Sequence, residues 1–246
     1  MRTPEGLMAR ILNHLADHYK DRLILKGGIL LRLYDIPRAT QDIDYVFAST
    51  ESKKTLAKEL EKTLAKLPGI SIEASRLNSR GIFIDVQAEA SGEKAILEIN
   101  VAPGTRLPPE PMSTATLSSK AGLSPRIIPT MALPEAFAHK IAASLERDAA
   151  RDLYDLSQLE IMGTWDWETL RERLGQISIQ RTKPKALTQQ EAGELLQKKL
   201  DLLNAKRLEE ELYPLLPPEH RPGTLGRIRV SVSRIIQRLK AESEFT

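Results

Sequence analysis

The sequence predicts an α+β protein, with a mixed β-sheet flanked by helices in its first half and an all-helical region after it. Three observations carry this. Short β-branched and alternating runs alternate with helical periodicity up to about residue 102, a proline-punctuated stretch follows, and only period-3.6 patterning is found beyond it. The expected division is a core domain over residues 1–130 and a helical C-terminal domain over 131–246.

Taken in order, Leu7, Ile11 and Leu15 recur at helical spacing and predict a helix from Leu7 to Tyr19. Leu23–Leu25 reads as a strand that ends at Gly27-Gly28, and Ile29–Tyr34 as a short helix. Asp42–Phe47 is a strand. Lys53–Leu67 is a helix whose Leu56, Leu60 and Leu64 fall four apart, stopped by Pro68-Gly69. Strands at Ile70–Ser75, Gly81–Glu89 and Lys94–Ala102 follow, the last two joined by a turn at Ser91-Gly92-Glu93. Pro103-Gly104, Pro108-Pro109 and Pro111 predict a loop to about Ala121, and Arg126–Ile128 a short strand. Pro134 suits the first turn of a helix through Arg147; Asp152–Met162 and Trp165–Leu174 are the next two. Gln176–Leu187 reads as a basic, polar linker. Thr188-Gln189-Gln190-Glu191 is a capping box opening a helix through Asn204. Leu208–Leu216 is short and stopped by Pro217-Pro218, and Thr224–Ala241 carries Leu225, Ile228, Val232, Ile235 and Leu239 on one stripe.

Composition excludes several classes. With 246 residues, 41% of them hydrophobic, the chain can fill a core, yet no run approaches the roughly 18 apolar residues of a membrane span. The N-terminal residues lack the apolar segment of a secretory signal, so a cytoplasmic protein is expected. No cysteine is present, which rules out disulfides, thiolate catalysis and cysteine-zinc sites, and four scattered histidines argue against zinc altogether. Residues 171–246 hold 15 Lys+Arg against 10 Asp+Glu, a charge of +5, and residues 1–170 carry −2. Arg221, Arg227, Arg229, Arg234, Arg238 and Lys240 have no acid among them, which suits either a polyanion or a solvated helix face.

The chemistry concentrates in two places. In Lys26-Gly27-Gly28 the glycines allow close approach to the backbone, and Asp42-Ile43-Asp44 puts two carboxylates on one face of a strand, where they can share a divalent metal. Magnesium takes one or two carboxylates plus phosphate and water, and phosphoryl or nucleotidyl transfer requires such charge neutralisation. Asp85 and Glu98, each between apolar residues on a predicted strand, are candidates for a third acid; each alone also fits an outward-facing residue on an alternating strand. The second place is His139 to Leu156. There Lys140, Arg147, Arg151 and Asp155 follow helical spacing and share one face if a single helix runs through. An exposed helix with an Arg151–Asp155 ion pair is the plainer alternative. A lysine for a triphosphate and an acid for a hydroxyl are the groups that the first site lacks.

Lys26 to Tyr34 followed by Arg38-Ala39-Thr40-Gln41-Asp42-Ile43-Asp44 resembles the first motif of the AbiEii/AbiGii-type nucleotidyltransferases, which include the MenT toxins, and Lys140 to Asp155 is similar to their later motif. The resemblance implies a DNA polymerase β-type nucleotidyltransferase fold whose helical C-terminal region completes the active site. It implies Asp42 and Asp44 as Mg2+ ligands, Gly27 and Gly28 beside the triphosphate with Lys26 assisting, Lys140 as a phosphate contact, and Asp155 as a base or orienting acid, with Asp152 competing. Arg147, Arg151 and Asp152 join the nucleotide-binding set. Glu98 is the third metal acid by its place before Pro103-Gly104, with Asp85 its competitor. The implied reaction moves NMP from an NTP to an acceptor, tRNA in MenT-like members, in a toxin paired with a winged-helix antitoxin. A protein or small-molecule acceptor, or a nucleotide-binding module without turnover, are the alternatives. The last helix and the Gln176–Leu187 linker would then supply phosphate contacts to RNA; with 4% aromatic residues, base stacking contributes little.

Overall fold

A computed structural model of the chain describes residues 4–163, 165–177 and 185–242, so residues 178–184 of the expected linker lie outside the described residues. The chain divides into two compact units, Met1–Ala132 and Leu133–Thr246.

In the first unit, helix α1 (Pro4–Tyr19) leads into β1 (Leu23–Lys26), α2 (Gly27–Leu33), β2 (Asp42–Ala48), α3 (Lys53–Leu64), β3 (Ile70–Leu77), β4 (Ile82–Ala88), β5 (Lys94–Ala102), β6 (Glu110–Ser113), α4 (Ala115–Ser118) and β7 (Ile127–Thr130). The seven strands form one mixed sheet in the order β3-β4-β5-β2-β1-β7-β6. Central β2 runs antiparallel to β1 and parallel to β5. Alternation divides the sheet into two faces. Ile43, Tyr45, Phe47, Leu97, Ile99, Ile82, Ile84 and Val86 point to the buried face, which α1 and α3 cover. Leu56, Leu60 and Leu64 of α3 have no exposed surface there, each contributing about 1.5–3 kcal/mol of burial. The opposite face, carrying Asp42, Asp44, Glu98 and Asp85, stays half-exposed.

The sequence expectation fails between residues 103 and 121. Glu110–Ser113 is a strand, pairing Pro111 with Pro129 of β7, and Ala115–Ser118 is a helical turn. The prolines suggest a loop, but β6 is the edge of the sheet, where a missing N–H costs no ladder bond.

The second unit contains α5 (Leu133–Glu146), α6 (Ala150–Met162), α7 (Trp167–Leu174), α8 (Gln189–Leu202), α9 (Ala205–Arg207) and α10 (Thr224–Glu242). The capping box is formed: Thr188 accepts from Glu191 N, and the Glu191 side chain accepts from Thr188 N. The helix ends at Leu202, two residues before the expected Asn204. Instead of one helix, residues 208–216 form a π turn (Leu208–Leu212) followed by a 3-10 turn (Tyr213–Leu215), because Pro214 cannot extend the helical ladder. Helix α10 buries Ile228, Val232, Ile235 and Leu239 as the stripe predicts, while Leu225 stays partly exposed. Among the described residues, no helix is long and apolar enough to cross a membrane.

Candidate active site

In the sheet unit the ladder brings the expected groups together. Lys26 on β1 lies opposite Asp44 on β2, and Asp44 is also in register with Glu98 on parallel β5. In-register neighbours lie one strand spacing apart on the same face. Asp42 lies on that face two residues before Asp44, beside Ile96. Asp85 pairs with Ile96 from the far side, so it is two strand spacings, about 10 Å, from Asp42. Its Oδ1 accepts from Arg76 Nη2 at 2.7 Å. The register thus makes Glu98, and not Asp85, the neighbour of Asp44.

The glycines pack closely against the motif that follows them. Gly27 has φ +73°, a conformation that L side chains rarely adopt. A Cβ added there would lie 2.6 Å from Asp44 Cγ and 2.7 Å from Asp44 Cβ. At Gly28 the corresponding space is taken by Arg38, whose Nη2 would be 2.8 Å away, and by Thr40 Oγ1 at 3.2 Å. What presses on this pair is a carboxylate and a guanidinium of the same motif. Arg38, 6% exposed, donates to Ala39 O at 3.1 Å, and Thr40 Oγ1 accepts from Asp42 N at 3.2 Å, fixing the entry to β2. Neighbouring Arg32 is buried as well; it donates to Glu5 Oε1 and to Ile36 O at 2.7 Å, tying α2 to the segment that leads into β2. Arg32, a charged residue inside the apolar run Ile29–Leu33, carried a signal of this in the sequence, whereas Arg38, between Pro37 and Ala39, carried none.

Does this face suit magnesium? The donors are all oxygens, and the two aspartates of β2 are the one or two carboxylates such an ion takes, the rest coming from phosphate and water. Among the described residues, no three acidic or histidine side chains gather closely enough to hold a metal ion. The three-acid set Asp42, Asp44 and Glu98 is therefore not drawn together as a cage; the structure offers a two-carboxylate face with Glu98 alongside.

In the helical unit two helices are found, as their expected bounds have it, so the one face conditional on a single helix through 140–155 is not formed. Helix α5 stops at Glu146 and α6 begins at Ala150, so pairs are made across a turn and not along one face. Lys140 Nζ donates to Asp155 Oδ2 at 2.7 Å and lies 3.9 Å from Asp152 Oδ1. Arg147 binds Asp152 with both Nε (2.6 Å) and Nη2 (2.8 Å). Arg151, which the plainer alternative pairs with Asp155, joins none of these bonds. Asp152 and Asp155 are 1% and 0% exposed, and buried carboxylates require such partners.

The basic tail is largely engaged within its own unit. Arg221 donates to Leu216 O, Arg227 to His220 O and Pro222 O, and Arg229 to Leu203 O. Arg234 lies 3.8 Å from buried Glu160, and Arg238 packs over the Trp165 ring. These arginines cap loops and cross helices of their own unit, and Arg227, Arg229, Arg234 and Arg238 remain exposed.

Sheet order, acidic face and glycine turn define a nucleotidyltransferase fold. The fold of MenT4, a nucleotidyltransferase toxin from Mycobacterium tuberculosis H37Rv, is similar, with a TM-score of 0.68 at 21% identity over 97% of this chain and 86% of that one. JHP933 from Helicobacter pylori is similar at a TM-score of 0.55 and 17% identity, over 98% and 93%. No curated protein sequence matches. Residues 10–225 match the family described as nucleotidyl transferase AbiEii toxin, type IV TA system, and the chain belongs to that family.

Proposed function

We propose that this chain is a cytoplasmic toxin, paired with a winged-helix antitoxin, that transfers a nucleoside monophosphate from a nucleoside triphosphate to tRNA in a Mg2+-dependent reaction. One observation supports this most: Asp42 and Asp44 share the half-exposed face of the sheet, with Lys26 and Glu98 flanking Asp44 in register. Asp42 and Asp44 would hold the metal with Glu98 beside them, and the bound ion would neutralise phosphate charge. An acceptor hydroxyl oxygen bonds to the α-phosphorus, the bond to the bridging oxygen breaks, and pyrophosphate leaves. The hydroxyl proton passes to a carboxylate of the acidic face. Lys26, Gly27 and Gly28 line the triphosphate, and Lys140, Arg147 and Arg151 are the phosphate-contacting cations that the helical unit offers. Asp155 has no exposed surface and Lys140 on its Oδ2, so it serves as an orienting carboxylate for that ammonium and not as the base. Asp152 does the same for Arg147.

Label transfer from each of four α-labelled triphosphates to total tRNA tests the reading, with Asp44→Asn as the control. Label on tRNA that vanishes in the variant is the expected result. Label on protein or on a small hydroxylated compound would replace the acceptor, and tight triphosphate binding without transfer would replace the enzyme by a binding module.

A further inference from the structure

The break between α5 and α6 leaves helix ends that its own residues do not satisfy. At the end of α5, backbone carbonyls lack partners in the helix, and no glycine closes the turn. At the start of α6, the N-cap is Ala149, whose side chain makes no capping bond. Both deficits are met from more than 50 residues downstream. Lys199 of α8 donates from Nζ to Ser144 O (2.5 Å), Leu145 O (3.0 Å) and Arg147 O (2.6 Å). Glu211, on the π turn, accepts from Ala150 N at 2.8 Å. Arg207 then binds Glu211 Oε1 (2.9 Å) and Asp148 Oδ1 (3.2 Å), linking that cap to the turn itself.

These contacts surround the two pairs proposed for the reaction. Lys140 sits on the last two turns of α5 and Asp155 on the second turn of α6, so the angle at residues 147–149 fixes whether Nζ meets Oδ2. The Arg147–Asp152 chelate spans the same break. Burial of the Lys199 ammonium pushes its pKa down, with Arg207 acting the same way against Asp148 and Asp152; a half-buried cation is retained where the carbonyls need it.

We propose that Lys199 and Glu211 are positioning residues for nucleotidyl transfer: they clamp the α5–α6 turn from both sides and so set the Lys140–Asp155 and Arg147–Asp152 pairs. This rests on the transferase reading above. Displacement of a reacting group by about 1 Å costs on the order of 100-fold in rate, so Lys199→Met is expected to lower kcat by that order with the KM for tRNA unchanged. Lys199→Arg and Glu211→Gln, which keep a donor and an acceptor, are expected to hold most of the activity, whereas Glu211→Ala loses it. Thermal melts check folding, and if Lys199→Met fails to fold, the Glu211 pair carries the comparison. Amide hydrogen exchange of the full chain gives a readout independent of turnover: residues 147–152 should exchange about 10-fold faster in Lys199→Met while α10 keeps its protection. Wild-type kcat in the Met and Ala variants, or kcat and KM falling together with the melting temperature, overturns the proposal. If the wild-type protein transfers no label, the transferase reading falls and the catalytic part of this proposal with it; unchanged exchange at 147–152 refutes the clamp by itself.

Discussion

Replacing Gly27 by alanine separates two costs that the structure predicts to coincide. The first is conformational: φ +73° is a left-handed value, which costs an L residue about 1–2 kcal/mol. The second is steric, since the new Cβ would lie 2.6 Å from Asp44 Cγ and the carboxylate has to move; forcing that side chain off its rotamer adds about 0.5–1.5 kcal/mol. Together they amount to about 1.5–3.5 kcal/mol, a fall in Tm of roughly 3–14 °C for a chain of this size. Gly122 supplies the control: its φ is +67° but no atom lies within 4 Å of an added Cβ. Gly122→Ala should therefore show the conformational cost alone, with label transfer unchanged. Gly27→Ala should show both costs and lose transfer by on the order of 100-fold through displacement of Asp44. Calorimetric melts and label transfer on the two variants decide it. Equal melting temperatures and equal activities would refute the claim that Asp44 depends on the absence of a side chain at position 27.

The register at β5 predicts that Glu98→Ala abolishes transfer while Asp85→Ala leaves it near wild type, with a stability loss of no more than about 1 kcal/mol for the partly exposed Arg76 pair; label transfer and melts on both variants test this, and the reverse order of effects would reassign the third acid. Asp155→Ala strands the Lys140 ammonium, 12% exposed, without its 2.7 Å partner, which should cost about 3–5 kcal/mol in urea unfolding. A loss under about 1 kcal/mol would mean that the pair is not held in solution. Glu211 is held below the ordinary carboxylate range by its hydrogen bond to Arg207, opposed by partial burial and helped by Ala150 N–H. A depressed carboxyl pKa contributes stability above the unfolded value, lost as pH falls from about 4.3 through the folded value. The acid limb of the stability–pH curve should accordingly flatten in Glu211→Gln, and an unchanged limb would remove Glu211 from the network.

Much of the sheet could be read from the sequence because alternation and burial agree on it. The bounds of β5 match the expectation at both ends, and Asp42-Ile43-Asp44 already implied two carboxylates on one face. The choice between Asp85 and Glu98 was not legible, because both sit between apolar residues and only strand order tells which one neighbours Asp44. The stop after Arg147 and the restart near Asp152 were legible as two helices, whereas the single face that Lys140, Arg147, Arg151 and Asp155 would share on one helix is not formed, and no Gly or Pro marks the turn at 147–149. Its open helix ends are satisfied by Lys199 and Glu211, which no local pattern connects to the turn. At the tail Arg227, Arg229, Arg234 and Arg238 are exposed, as a solvated helix face requires, while several guanidinium groups also bind carbonyls of their own unit, which composition alone does not reveal.

The order in which strands neighbour one another has a consequence for synthesis. Leu25, near the N-terminus, finds its parallel partner only at Thr130, and β2 waits for β5 some fifty residues on. Non-local pairing of this kind slows folding. A nascent chain therefore holds its acidic strand with one flank open until β5 emerges from the ribosome, and the other half of the sheet remains without its border until β7 and its proline-bearing neighbour can join. At translation rates of about 5–20 residues per second, the acidic face of β2 thus stays half-built for seconds after β2 itself has emerged.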